Sequence, residues 1–226
     1  MTTAVVHQPQ YFPYLGFFHK IAHADVYVVM DDVQYQKRGV INRNRIKSSA
    51  GPQWLTVPVL QRNGQLIKEV QINPTERWHR QHWNAVRVNY TPAENFETYA
   101  PGLQTLFETS PADLYDLNMA SIEWAMDALG IRTPMVPASE LGVEGSSSEL
   151  LANLCRAVGA DTYLSGPGGR NYMEPSIFEA AGVAIEWQEF SSPEYEQLFP
   201  SAGFVPDLSV VDALMCCGER AKEFIR

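Results

Sequence analysis

The sequence predicts an α/β fold, a largely parallel sheet with flanking helices and a small antiparallel hairpin insertion, on three observations. Short apolar runs rich in β-branched residues alternate with helically periodic segments along the 226 residues, the pattern of successive βαβ units. Residues 2–32 read as strand, proline-bearing loop, helix, strand, a span that suits a βαβ unit with parallel strands. Asn63-Gly64 stands between two β-like runs, a strong local signal for a hairpin.

Taken in order, TAVVHQ barely alternates, so it reads as a strand buried on both faces. Pro9 and Pro13 forbid regular structure and make Gln8–Tyr14 a loop. GFFHKIAHAD is a short helix with Phe17, Phe18, Ile21 and Ala22 on its apolar face. DVYVVMDD is a second buried strand ending in two acids. VQYQKRGVINRNRIKSSAGPQ reads as a long basic loop with at most one helical turn. QWLTVPVL and KEVQIN form the hairpin around QRNGQ. ERWHRQHWNAVRVNY is a helix facing inward through Trp78, His82 or Trp83, Val86 and Tyr90. Three more helices are expected in AENFETYAPGLQTLFETS, PADLYDLNMASIEWAMDALG and SSSELLANLCRAVGA. The second of these starts at Pro111 after Ser110 as N-cap and ends before Gly130. RTPMVPASEL is a short strand, DTYLSG a strand ending at Gly166, VAIEWQEF a strand, and SVVDALMCCGERAKEFI a closing helix. No composition break demands a second domain, so residues 1–226 are expected to form a single α/β domain.

The net charge of −9 is unevenly placed. Residues 1–90 carry 11 Lys/Arg against 5 Asp/Glu, while residues 91–226 carry 6 against 21. This asymmetry points to an anionic small molecule near the first part, and the acidic remainder argues against nucleic-acid binding. No apolar run is long enough to span a bilayer, and MTTAVVHQPQ lacks the features of a signal peptide. Three cysteines, two of them adjacent and none in CxxC spacing, suit free thiols in a reducing compartment, which implies a cytoplasmic protein. His79 and His82 find no cysteine pair at zinc-ligand spacing and read as a packed helix face, so no metal site is expected. No cofactor is specified.

Three constellations can carry chemistry. In HQPQYFPYLGFFHK, His7 lies where a strand ends, the ligand-binding edge of an open α/β sheet. It suits a general base, with Gln8, Tyr11 and Lys20 as nearby polar groups, and Gly16 as a point of close backbone approach beside a helix N-terminus. In MDDVQYQKRGVINRNRIK, Asp31 and Asp32 end a strand at the same edge. Lys37, Arg38, Arg43, Arg45 and Lys47 follow without an intervening acid, interleaved with Gln34, Asn42 and Asn44. That mixture suits a phosphate or carboxylate held by Arg43, Arg45 and Lys47, with Asp32 orienting His7 or an acceptor amine. In LSGPGGRNYM, Ser165, Gly166, Arg170 and Tyr172 follow a strand and resemble an anion nest, though they match neither the Walker pattern nor GxGxxG. In PDLSVVD, Asp207 suits an N-cap region and Asp212 a buried acid.

HQPQYFPYLGFFHKI, DVYVVMDDVQYQKRGVINRNRIK, QWLTVPV, TYLSGPGGRNYM and PDLSVVDALM, in this order, resemble the WbqC-like family over nearly the whole chain. The resemblance implies small-molecule or sugar biosynthesis, in bacterial cell-surface polysaccharide or specialised-metabolite pathways. The strand–loop–Gly–helix opening is also similar to the Rossmann-like nucleotidylyl transferases of the HIGH type. There, Tyr14-Leu15-Gly16-Phe17 stands in place of His-x-Gly-His, so both histidines are missing. The expected function is group transfer, passing an acyl, aminoacyl or other activated group to a small acceptor such as an amino sugar, with His7, Asp32 and Tyr11 as catalytic residues. Two alternatives are nucleotidylyl transfer with Mg²⁺ and a non-enzymatic sugar-binding protein whose stacking surface is Tyr11, Phe12, Tyr14 and Trp54.

Overall fold

The computed structural model describes residues 1–109 and 111–226. Five strands form one all-parallel sheet: β1 (Thr3–His7), β2 (Val26–Val29), β7 (Met135–Pro137), β8 (Thr162–Ser165) and β9 (Ala184–Trp187), in spatial order β7-β2-β1-β8-β9. The α/β class with a largely parallel sheet is therefore the architecture of the protein.

β1 explains its own sequence. Ala4 and Val6 point to one layer and Val5 to the other, all at most 3% exposed. A strand covered on both faces needs apolar residues at every position. Ala4, Val6, Val26 and Val28 pack under α5 (Ser147–Ala157) and α6 (Pro175–Ala181). Val5, Tyr27 and Val29 pack against α1 (Leu15–Ala22), α4 (Leu114–Leu129) and α7 (Val210–Cys217). α2 (Trp78–Tyr90) and α3 (Phe96–Thr109) extend that second layer. Helix α6 was not legible as a separate element. The closing helix breaks at Gly218 into a 3-10 turn over Gly218–Ile225.

The hairpin expected around Asn63-Gly64 is present, though short. Val59–Leu60 (β5) does pair antiparallel with Gln71–Ile72 (β6), but only over two residues. The larger hairpin is β3 (Arg43–Ser48) with β4 (Gly51–Thr56), and β3 lies inside the segment expected to be a loop. Its turn ends at Gly51, whose φ of 100° only glycine holds without strain. α4 starts at Leu114 with Asp113 as N-cap, three residues after Pro111. The cap expected at Ser110 lies outside the described residues. Gly130 ends α4 in the left-handed conformation. No helix of the described residues is long and apolar enough to cross a membrane.

Candidate functional site

The strand order reverses between β1 and β8. At such a point the connections leave in opposite directions, and open α/β sheets place their ligand crevice beyond the carboxyl ends of the two strands. His7 is the last residue of β1 and Ser165 the last of β8.

His7 Nδ1 lies 2.9 Å from the Gln8 carbonyl oxygen. A carbonyl only accepts, so the ring proton sits on Nδ1 and Nε2 keeps its lone pair. The ring packs edge-on against Phe17, with centroids 5.2 Å apart. Burial, and then the nearby Lys20 charge, push the imidazole pKa down to about 3, against a smaller upward pull from the Gln8 bond. His7 is thus neutral at physiological pH.

Lys20, on α1, is 6% exposed. Its ammonium makes no hydrogen bond and no ion pair among the described residues, and burial lowers its pKa to about 8. A Cβ placed on Gly166 would stand 3.8 Å from Lys20 Nζ and 3.9 Å from Gln188 Oε1. The ammonium therefore faces the backbone that leaves β8. Gln188, just past β9, donates to the Gly16 carbonyl at 2.7 Å and approaches His19 Nδ1 at 3.1 Å. It ties the first turn of α1 to the far wall of the crevice. The sequence reading did not single it out, although a glutamine directly after an apolar strand is a usable signal.

Gly16 serves packing and not ligand approach. A Cβ there would overlap the ring of Tyr14. Tyr14 meets Phe190 at 6.2 Å between centroids, and Phe190 meets His19 at 5.1 Å. These rings join the crevice to a neighbouring groove of about 460 Å³, lined by Gln10, Tyr14, Arg45, Trp54, Phe190 and Asp207 among others. Arg45 and Trp54 are cross-strand partners on β3 and β4. The Arg43 and Arg45 guanidiniums lie 4.4 and 5.7 Å from the indole centroid. Arg43 also donates to the carbonyls of Arg38 (2.6 Å) and Gly39 (3.2 Å). Arg45 has a single long contact, 3.4 Å to the Asp207 carbonyl. Trp54 remains 48% exposed.

The other residues singled out from the sequence lie elsewhere. Lys47 is fully buried, donates to the Gly203 carbonyl at 2.6 Å, and faces Asp212, so it does not join a clamp with Arg45. Asp212, fully buried, accepts from Tyr90 at 2.6 Å and Tyr195 at 2.8 Å. Tyr11 is 1% exposed and its hydroxyl is bonded to His82 Nδ1 at 2.8 Å, so it is a core residue and not a catalytic one. His82 in turn has its pKa lowered to about 4, chiefly by burial. Asn42 donates to the Val57 carbonyl, closing the open end of the β3–β4 hairpin, and Asn44 donates to the Phe12 carbonyl, tying the hairpin to the loop after β1. Asp31 accepts from Ser139 N at 3.0 Å and from its hydroxyl at 2.6 Å. Asp32 is half-buried and makes no hydrogen bond to His7, whose orientation comes from Gln8 instead. Gln34 is exposed and bridges to Leu66. Lys37 is exposed. In the SGPGGR segment, Pro167–Asn171 forms a 3-10 turn, Arg170 stacks on Trp187 at 4.5 Å, and Tyr172 is 59% exposed. The crevice thus collects His7, Gln8, Lys20, Ser165 and Gly166 near one another, and the groove collects Arg45 with Trp54 and Asp207.

No solved structure matches the chain. The "Uncharacterized protein Rv1507c" of Mycobacterium tuberculosis is 34% identical over 230 residues, covering 100% of this chain and 98% of that protein. The family model of the WbqC-like protein family matches residues 8–224, from the loop after β1 to the end of the closing helix. With nearly the whole chain, every sheet strand but β1, inside that match, the chain belongs to the WbqC-like protein family.

Proposed function

We propose that this protein is a group-transfer enzyme acting on a small anionic molecule, with the acceptor seated in the Arg45–Trp54 groove and His7 as the base. The biosynthetic setting we favour is cell-surface polysaccharide or specialised-metabolite assembly. The observation that carries this reading is a neutral histidine with a free Nε2 at the reversal of strand order. A fixed tautomer aims the Nε2 lone pair at one position, and a general base also needs a pKa nearer the working pH than the value of about 3 held without ligand. An anion that offset the Lys20 charge would also raise the proton affinity of His7, so the base would strengthen as substrate arrives.

The test is His7→Ala and His7→Gln in a survey of activated acyl and phosphoryl donors with amine and hydroxyl acceptors. The expected outcome is a loss of turnover of about 10²–10⁴-fold with the melting temperature within a few degrees of wild type. Unchanged turnover in both variants would reject His7 as the base.

Nucleotidylyl transfer is the second reading, favoured by the same strand order. Its test is a thermal shift with ATP, CTP and UTP, with and without Mg²⁺. No shift at millimolar nucleotide would remove it. A purely sugar-stacking protein draws less support, because Tyr11 and Phe12 are 1% and 2% exposed and are not available for stacking.

A further inference from the structure

We infer that the end of β8 opposite Lys20 is a binding site for a single oxyanion, a phosphoryl or carboxylate group of the ligand. Four observations converge on it. Lys20 is buried, yet neither a carboxylate nor a carbonyl of the described residues accepts from it. Among the described residues, the side-chain N or O atom that lacks both a partner and contact with solvent is Asn118 Oδ1. Lys20 Nζ also lacks a partner but falls outside that class, so its tip still meets solvent. The neighbour it faces is Gly166, where no side chain fills the space. Gly166 has φ −68°, so no backbone demand accounts for a glycine there.

The physical argument is one of compensation. An ammonium whose stem is buried and whose tip alone reaches solvent has lost much of its hydration, a cost that stands unless an opposite charge or acceptors replace it. The protein supplies none at Lys20. The polar groups the structure sets beside it, the His7 ring and the Gln188 amide across Gly166, are neutral, and the Ser165 hydroxyl is engaged elsewhere, with the Gly166 carbonyl at 3.2 Å and Met173 Sδ at 3.4 Å. A single compact anion completes this set. A lysine is a point charge without the planar fork of arginine, and so suits a tetrahedral phosphoryl or a carboxylate equally. This places the anionic part of the substrate in the proposed function. Anion binding is nevertheless measurable whether or not transfer occurs, so the two can fail separately.

The experiment is thermal stability and calorimetric titration of the full chain with inorganic phosphate and with acetate, against chloride at equal ionic strength. A saturable rise in melting temperature with one or both oxyanions is expected. Phosphate alone would assign a phosphoryl ligand, and acetate alone a carboxylate. Lys20→Met should abolish the rise, and Arg80→Gln, an exposed position on α2, should leave it unchanged. Gly166→Ala provides a second, independent variant. Its methyl group would lie in van der Waals contact with Nζ, at 3.8 Å, on the side from which an anion reaches the ammonium, and should weaken binding at least tenfold while the fold is kept. The inference is overturned if neither anion outperforms chloride. It is equally overturned if Gly166→Ala binds as well as wild type, or if a folded Lys20→Met does.

Discussion

Two buried lysines sit at opposite ends of this molecule's polar chemistry. Lys47 is fully buried on β3, donates to the Gly203 carbonyl, and lies near enough to Asp212 to favour its charged form against burial, though the two form no ion pair. Lys20 is nearly as buried on α1 and has neither such an acceptor nor such an acid. The first belongs to a closed network. Tyr90 and Tyr195 complete Asp212, and the Tyr90 oxygen in turn accepts the Lys47 backbone N–H at 2.9 Å. The second is open on one side. Burial of a charge therefore does not identify a ligand site; burial without a partner does.

The largest effect that tests this contrast is on stability. Lys47→Met should cost about 3 kcal/mol in urea denaturation, because it leaves Asp212 buried without the nearby positive charge and the Gly203 carbonyl unbonded. Lys20→Met should cost nothing or stabilise, since it removes an uncompensated charge and keeps the volume. Equal losses in the two variants would erase the distinction.

The next effect is pH-dependent. The Lys20 pKa in the folded chain, about 8, lies below its unfolded value of 10.5. Between those values the unfolded chain binds more protons, so stability rises with pH across that window. The Lys20 contribution to the rise is on the order of 2–3 kcal/mol from the size of the shift. Other groups titrate in the same range, so the difference between wild type and Lys20→Met isolates it. A variant with the same slope as wild type would mean that Lys20 is not desolvated.

The smallest effect concerns the two arginines around Trp54. Arg43→Lys should cost about 1 kcal/mol, because lysine cannot bond the Arg38 and Gly39 carbonyls together while stacking on the indole. Arg45→Lys should change stability by less than about 0.5 kcal/mol. Chemical denaturation of both variants separates a cation used by the fold from one left for a ligand.

What was legible in the sequence follows the same division. β1, α1 and β2 were readable because complete burial imposes apolar residues at every strand position and a 3–4 spacing on the helix. β3 was not, because its interior-facing residues are Asn44, Ile46 and Lys47. Two of these three are polar, so the run RNRIKS looks solvated. Their partners, the Phe12 and Gly203 carbonyls, stand 32 residues before Asn44 and 156 after Lys47. No local pattern encodes such pairings. The histidine at a strand end and the lysine behind it were visible as types in a place. That Lys20 lacks an acceptor, and that Gln188 closes the crevice from the far edge, depends on the order of the strands in space.

One backbone detail reaches further. Asp207 lines the groove in a left-handed conformation, φ 54°, a region glycine occupies at lower cost. Its carboxylate takes the Ser192 hydroxyl and lies close enough to raise the Tyr14 phenol pKa, after burial. A stability screen of random variants would therefore favour glycine at this position, gaining up to about 1 kcal/mol. The same substitution would strip the groove of the acid it presents. Thermostabilised variants of this protein selected on melting temperature alone would carry a blunted groove, and a library that fixes Asp207 would avoid that trade.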